Sequence, residues 1–251
     1  MPTLGVIVLS LQGMKHLAEC LESVRWADVL VVLHLGEGTP AIGLNPLPHV
    51  VIERVSPGVE LAELRQRTGA DWVLWLWGEE AVGPELGEEL RGLRDMELSE
   101  TPRSYAVPIR SQILGRWVEG SLWEPSPALR LTRGVGAISL DGWGRWGRGC
   151  RETSGRVRGW IGDYSAVDLS DGLDRLDSIS SLWARRFQTR GVRPSPGVML
   201  VGPLRPFFRL LFRNGFFAGG LAGLTLAALA AYATLLGCAK LWEANNVKPA
   251  E

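Results

Sequence analysis

Side chains able to bind a metal, carry a proton or attack a substrate are scattered through this chain, and few of them group. Asp168, Asp171, Asp174 and Asp177 recur every third residue. That series invites a metal reading. A step of three residues drifts around a helix of 3.6 residues per turn, so four such carboxylates cannot converge on one ion. A solvated acidic face is the expectation. Cys20, Cys150 and Cys238 lie far apart and form no CxxC pair, which argues against a metal knuckle or a disulfide framework. His16, His34 and His49 are equally dispersed. Arg205, Arg209 and Arg213 stand four apart and so share one helical face. They lead into Asn214 to Ala239, which holds no charged residue over 26 positions, and Lys240 and Trp242 follow it.

Bulk composition bounds the classes open to the chain. Its 251 residues suit one large domain or a domain with an appendage. An apolar fraction of 46% is ample for a core. Basic and acidic residues balance at 27 each, without the basic excess that a nucleic-acid-binding protein shows. Met1 to Gln12 lacks a basic leading region and reads as a first strand, not a signal peptide.

Hydrophobic patterning supplies the elements that would position any site. Leu4 to Leu11, Ala27 to Leu33, Val50 to Val55 and Asp71 to Leu76 are short runs rich in Val, Ile and Leu, as buried parallel strands are. Between and after them, Leu17 to Val24, Leu61 to Arg67 and Pro84 to Met96 read as helices, the last with Pro in its first turn. Alternating strand and helix predicts a doubly wound α/β sheet. Ser104 to Ile109 and Ala128 to Thr132 are further strands, Gly134 to Arg158 is irregular, and Asp168 to Arg190 is an amphipathic helix. The expected organisation is an α/β domain over 1–195 and a C-terminal amphipathic, membrane-associated helical region over 196–251. The uncharged run is long enough for a bilayer core of about 30 Å. It is also rich in Ala and Gly, which weakens its drive to insert. Spanning the bilayer and lying in its interface both stay open. Gly215, Gly219 and Gly223 form a small-residue ribbon suited to close helix contact.

Several strings, in order along nearly the whole chain, resemble one family. They are Cys20-Leu21-Glu22-Ser23-Val24-Arg25-Trp26-Ala27-Asp28, Asp71-Trp72-Val73-Leu74-Trp75-Leu76, Pro84-Glu85-Leu86, Leu114-Gly115-Arg116-Trp117-Val118, Trp123-Glu124-Pro125, Leu129-Arg130-Leu131 and Ala239-Lys240-Leu241-Trp242-Glu243. The chain is similar to bacterial family-2 glycosyltransferases of the lipopolysaccharide-core β-glucosyltransferase type, with a GT-A fold. The resemblance implies a nucleotide-sugar donor, Mg²⁺ or Mn²⁺ held by carboxylates, and a lipid-linked acceptor at the inner face of the cytoplasmic membrane.

The chain departs from that family where the chemistry sits. Leu11-Gln12-Gly13 stands in place of an Asn-Glu pair, His34 in place of the Asp that reads the nucleotide base, and Gly36-Glu37-Gly38-Thr39 in place of an Asp-bearing turn. The metal motif Asp-x-Asp-Glu becomes Trp77-Gly78-Glu79-Glu80. Ser126 replaces an acid after Trp123-x-Pro, and Trp143-Gly144-Arg145-Trp146 replaces a His-Glu. Asp163 stands where a His should precede Tyr164-Ser165. An indole cannot ligate Mg²⁺. The first expectation is therefore a degenerate homologue with no cofactor, acting as a binding or scaffold subunit at the cytoplasmic membrane surface. The alternative is an active hexosyltransferase with an altered site. There Glu79 and Glu80 would hold metal or face the diphosphate, His34 would line the nucleotide edge, and Arg130 would meet a phosphate. A third expectation is a structural subunit of a membrane-protein complex, with Trp117 to Trp160 and the glycine ribbon as partner surfaces. Arg205, Arg209, Arg213, Lys240 and Trp242 are the candidate membrane-surface residues.

Overall fold

The computed structural model describes residues 1–35, 50–55, 61–98, 101–120, 126–133, 154–213 and 220–247. It divides into two compact units, one running to Val167 and one from Asp168 onward. The sequence places the boundary at 195/196; compactness groups the helix at 169–189 with the C-terminal helices instead.

In the first unit the elements run β1 (Leu4–Ser10), α1 (Leu17–Ser23), β2 (Val29–His34), β3 (Val50–Arg54), α2 (Leu61–Gln66), β4 (Trp72–Trp77), β5 (Glu80–Val82) and α3 (Pro84–Gly92). A single 3₁₀ turn, Leu93–Asp95, ends α3. Then come β6 (Ser104–Val107), β7 (Ile109–Ile113), β8 (Arg116–Glu119), β9 (Ala128–Arg133), β10 (Ser154–Arg156) and β11 (Ile161–Ala166). Seven strands form the main sheet in the order β10-β6-β9-β4-β1-β2-β3. Its heart, β3-β2-β1-β4, is parallel, and β9 joins β4 antiparallel. The doubly wound α/β expectation holds for this core. Chain order runs outward from β1 through β2 and β3 and then resumes beyond β1 at β4. The C-terminal ends of β1 and β4 therefore flank a topological switch point, where open α/β sheets bind ligands.

Every residue of β1 and β4 is buried. This is why these strands read as unbroken apolar runs rather than alternating ones. On one face Leu4, Val6, Val8, Leu30, Val32, Trp72, Leu74 and Leu76 pack with Leu17, Leu21, Val24, Leu86 and Leu90 of α1 and α3. On the other, Ile7, Leu9, Val31, Leu33 and Trp75 are buried as well.

A second, four-stranded sheet, β5-β11-β7-β8, was not legible in the sequence. Pro108 breaks the predicted strand at 104–109, so β6 ends at Val107 and β7 begins a new sheet. β7 and β8 join through Leu114 and Gly115, both at positive φ (48° and 75°), the backbone of a two-residue type I′ hairpin.

The second unit holds α4 (Leu169–Thr189), α5 (Pro196–Val201), α6 (Leu204–Arg213) and α7 (Gly220–Asn246). Asp168 caps α4, accepting the Asp171 N–H at 2.8 Å. Asp174 and Asp177 are exposed, in keeping with a solvated acidic face. α7 packs along α4 and α6. Leu224–Asn246 is long and apolar enough to cross a membrane. Lys240, expected at a membrane surface, pairs within this unit. Its ammonium donates to the Asp177 carboxylate at 2.7 Å, the Asp177 carbonyl at 2.8 Å and the Ser181 hydroxyl at 2.7 Å, tying α7 to α4. Trp242 is half exposed. Residues 214–219, with Gly215 and Gly219 of the glycine ribbon, lie outside the described residues.

Candidate functional site

The strand ends at the switch point gather most of the predicted site. β1 ends in Ser10, β2 in His34 and β4 in Trp77, and the register pairs Ser10 with His34 and Leu9 with Trp77. Gly78 follows, its N–H bonded to the Leu9 carbonyl at 2.8 Å. That bond holds the turn against β1. A Cβ at Gly78 would lie 2.9 Å from the Met14 sulfur and 3.1 Å from Leu17, so the turn packs closely there. The chain then enters β5 with Glu80.

At this turn the candidates meet one another. Arg130 donates from Nη2 to Glu80 Oε1 at 2.5 Å and from Nη1 to Glu80 Oε2 at 2.8 Å, a bidentate pair. The Trp77 N–H donates to Oε2 of the same carboxylate at 2.8 Å, and Arg130 Nη1 also reaches the Trp75 carbonyl at 3.1 Å. The Arg130 side chain is 0% exposed and that of Glu80 4%. A bulge aims the arginine: one step along β6, from Tyr105 to Ala106, spans two steps of β9, and Arg130 is the extra residue.

This corrects two expectations. Glu80 was a candidate metal ligand and Arg130 a candidate phosphate ligand; the structure commits each to the other. Both carboxylate oxygens already accept from N–H donors, and the guanidinium has no solvent path to an anion. Burial pushes the Glu80 carboxyl up from the ordinary range. The charge and hydrogen bonds of Arg130 pull it back down, and the Asp163 charge adds to the rise.

Asp163, read in the sequence only as a replaced motif position, is part of this cluster. It lies opposite Glu80 in the β5–β11 register and is buried. Its carboxylate accepts from the Ser111 hydroxyl at 2.8 Å and from the Ser165 N–H at 3.0 Å. Its position depends on the pairing of β11 with β5 and β7, which nothing local announces.

Glu79 is buried too, and its carbonyl accepts the Tyr164 N–H at 2.9 Å. His34 is 2% exposed, with Nδ1 3.4 Å from the Ser10 hydroxyl. A histidine placed so cannot offer an open edge to a nucleotide base. Trp77 is 5% exposed, and its carbonyl faces the Cys20 thiol at 3.5 Å. Cys20 is a buried small residue, as expected; burial, then Glu80 and Glu19, push its thiol pKa well up. Ser126, standing for an expected acid, accepts the Ile109 N–H at 3.0 Å and so serves the start of β7. Glu37, Trp123 and residues 143–146 lie outside the described residues.

Beside the turn the second sheet carries an aromatic cluster. Trp117 meets Trp160 at 5.5 Å and Tyr164 at 5.7 Å, both edge-on, and His16 lies 5.7 Å from Tyr164. The Arg110 guanidinium sits 5.2 Å from the Trp160 ring. Trp117 is half exposed, so this part of the tryptophan-rich segment reaches solvent.

The described residues at this turn do not fit a divalent cation with a diphosphate. Such a site needs open carboxylate oxygens. Here the leading position is an indole, and the last acid of the motif is in an arginine pair. Among the described residues, no group of three or more His, Cys, Asp or Glu side chains is placed to hold a metal.

No family model matches the chain. Its fold is similar to that of S. aureus TarS. The crystal structure of TarS residues 1–349 aligns with 96% of this chain and 89% of that one, at 12% identity and a TM-score of 0.45. A second TarS crystal structure aligns with 96% of this chain and 54% of that one, at 12% identity and a TM-score of 0.42. A Bacillus anthracis protein described as a glucose-1-phosphate thymidylyltransferase aligns over 76% of this chain and 97% of its own length, at 12% identity and a TM-score of 0.36.

Proposed function

We propose that this chain is a degenerate, membrane-associated relative of family-2 glycosyltransferases, of the lipopolysaccharide-core type, that serves as a binding or scaffold subunit and does not transfer sugar. One observation carries the reading: at the turn that should recruit a cation, Glu80 is held by Arg130 and by the Trp77 backbone, in a buried pair. A pyrophosphate brought to these strand ends would meet an indole and a neutralised carboxylate. Breaking a sugar–phosphate bond needs compensation for the charge of the leaving group. Arg130, the cation that the described residues bring to this turn, already faces an acid. The cytoplasmic face of the membrane and a lipid-linked glycan or membrane-protein complex are the proposed setting. The family strings and the apolar C-terminal helix α7 support it.

Thermal unfolding with UDP- and ADP-sugars, each with and without Mn²⁺, tests the reading. A ligand at about 100 times its Kd stabilises by about 2.7 kcal/mol. No shift is expected. A saturable shift that disappears in Glu79→Ala would overturn the proposal in favour of an active transferase with an altered site. Glu79 is the motif acid that remains outside the arginine pair.

A further inference from the structure

We propose that the helical unit lies in the plane of an anionic lipid surface, docked through α5 and α6, and that α7, packed along α4 and α6, does not cross the bilayer. The proposal rests on the membrane-associated part of the reading above and is independent of whether catalysis is lost.

α6 exposes an apolar stripe beside a basic one. Leu204, Phe208 and Phe212 stand four apart and are 49%, 49% and 68% exposed. The Phe208 and Phe212 rings stack at 5.9 Å. Arg205 and Arg209, one residue on, are also exposed. Leu210 turns inward, 8% exposed, on the helix that packs against α7. α5 continues the apolar surface with Val198, Leu200 and Val201, of which Leu200 is 77% exposed. Large apolar side chains left in water over two consecutive helices mark an interaction surface.

Charge selects the occupant. The whole chain is neutral, yet between Asp177 and Glu243 it contains no acidic residue, against seven arginines and one lysine. A neutral protein partner, or a second copy of so basic a face, gains nothing from that segregation. A surface of anionic headgroups over an acyl boundary matches both stripes: rings enter the boundary while guanidinium groups remain at the phosphates.

The packing of α7 argues against a span. It lies along α4, which carries Asp171, Asp174, Asp177, Arg175, Arg185 and Arg186. The Lys240 bonds to Asp177 and Ser181 join the C-terminal part of α7 to the middle of α4. The Gln188 amide donates to the Ala244 carbonyl at 2.9 Å, and Asn245 donates to the Val192 carbonyl at 3.2 Å. Carrying α7 into hydrocarbon would either bring α4's charges with it or break these bonds.

Flotation of the full-length protein with vesicles tests this. The probes are phosphatidylcholine alone and phosphatidylcholine with about 30% phosphatidylglycerol. Expected is co-flotation with the anionic vesicles only, reversed by high salt and by carbonate at alkaline pH. Arg205→Gln with Arg209→Gln should weaken partitioning about thirty-fold, from the usual contribution per basic residue at an anionic surface. Phe208→Ser with Phe212→Ser should release the protein. All four side chains are exposed, and circular dichroism and Tm measured beside flotation show that the variants fold. Equal binding to both vesicles, no binding to either, carbonate-resistant binding, or variants that float like the native chain would each overturn the proposal. So would a lipid-free dimer abolished by Phe208→Ser. None of these results bears on the nucleotide-sugar titration, so the two readings fail separately.

Discussion

Replacing Arg130 with Met keeps side-chain bulk and strips Glu80 of its partner. In the native protein the carboxylate accepts two guanidinium N–H bonds and one backbone N–H at distances of 2.5–2.8 Å, with both side chains nearly inaccessible. After the change only the Trp77 N–H remains of these three, and the charge stays buried. Breaking a buried pair by removing one partner costs about 3–5 kcal/mol. The cost depends on pH with a definite sign. Burial already raises the folded-state pKa of Glu80 above the ordinary 4.5, and losing Arg130 raises it further. A carboxyl whose folded pKa lies above its unfolded value holds more protons when folded. Stability therefore falls as pH rises from about 4.5 through the folded pKa, and the full penalty is present above it. Urea unfolding of native and R130M protein at pH 4 and pH 8 reads this directly. The deficit should be several kcal/mol at pH 8 and distinctly smaller at pH 4. The double variant Glu80→Leu with Arg130→Met should recover most of the loss, because replacing both members with apolar groups is often near neutral. A deficit below about 1 kcal/mol at pH 8 would show that the pair is not closed as described, and with it would go the argument that Glu80 is unavailable to a metal.

Three further outcomes follow from the same packing. Trp77→Asp installs the leading acid of the resembled motif but places a carboxylate at a 5% exposed position beside Glu80. A Tm lower by many degrees is expected, with no gain in Mn²⁺ or nucleotide-sugar binding; regained donor binding would contradict the buried geometry. Cys20 should resist a thiol reagent at pH 8 in the folded protein and react in urea, because burial, Glu80 and Glu19 all oppose its thiolate; fast native-state labelling would refute this. Gly159→Ala should cost about 1–3 kcal/mol in urea unfolding, since the added Cβ meets the Leu86 backbone in α3, which cannot yield as a flexible side chain would.

The parallel core was legible because strands buried on both faces leave an unbroken apolar signature. Leu4–Ser10 and Trp72–Trp77 were found almost to the residue for that reason. α3 and α4 were legible from a proline in the first turn and from apolar spacing. The second sheet was not, since Glu80–Val82, Arg116–Glu119 and Ile161–Ala166 are short and of mixed composition. Among the candidate site residues, the motif positions at Trp77, Glu79 and Glu80 could be named from the sequence. Their state could not. Sequence alone determined that an indole stands where an acid was expected, because identity is local. Tertiary structure alone decided that Arg130 closes on Glu80, that Asp163 lies opposite it, and that Lys240 pairs with Asp177 of α4. Each of these depends on a contact between residues 50 or more apart in the chain. Whether a charge faces water, a ligand or a buried counter-charge is set by what surrounds it, and those surroundings exist only once the strands and helices have packed.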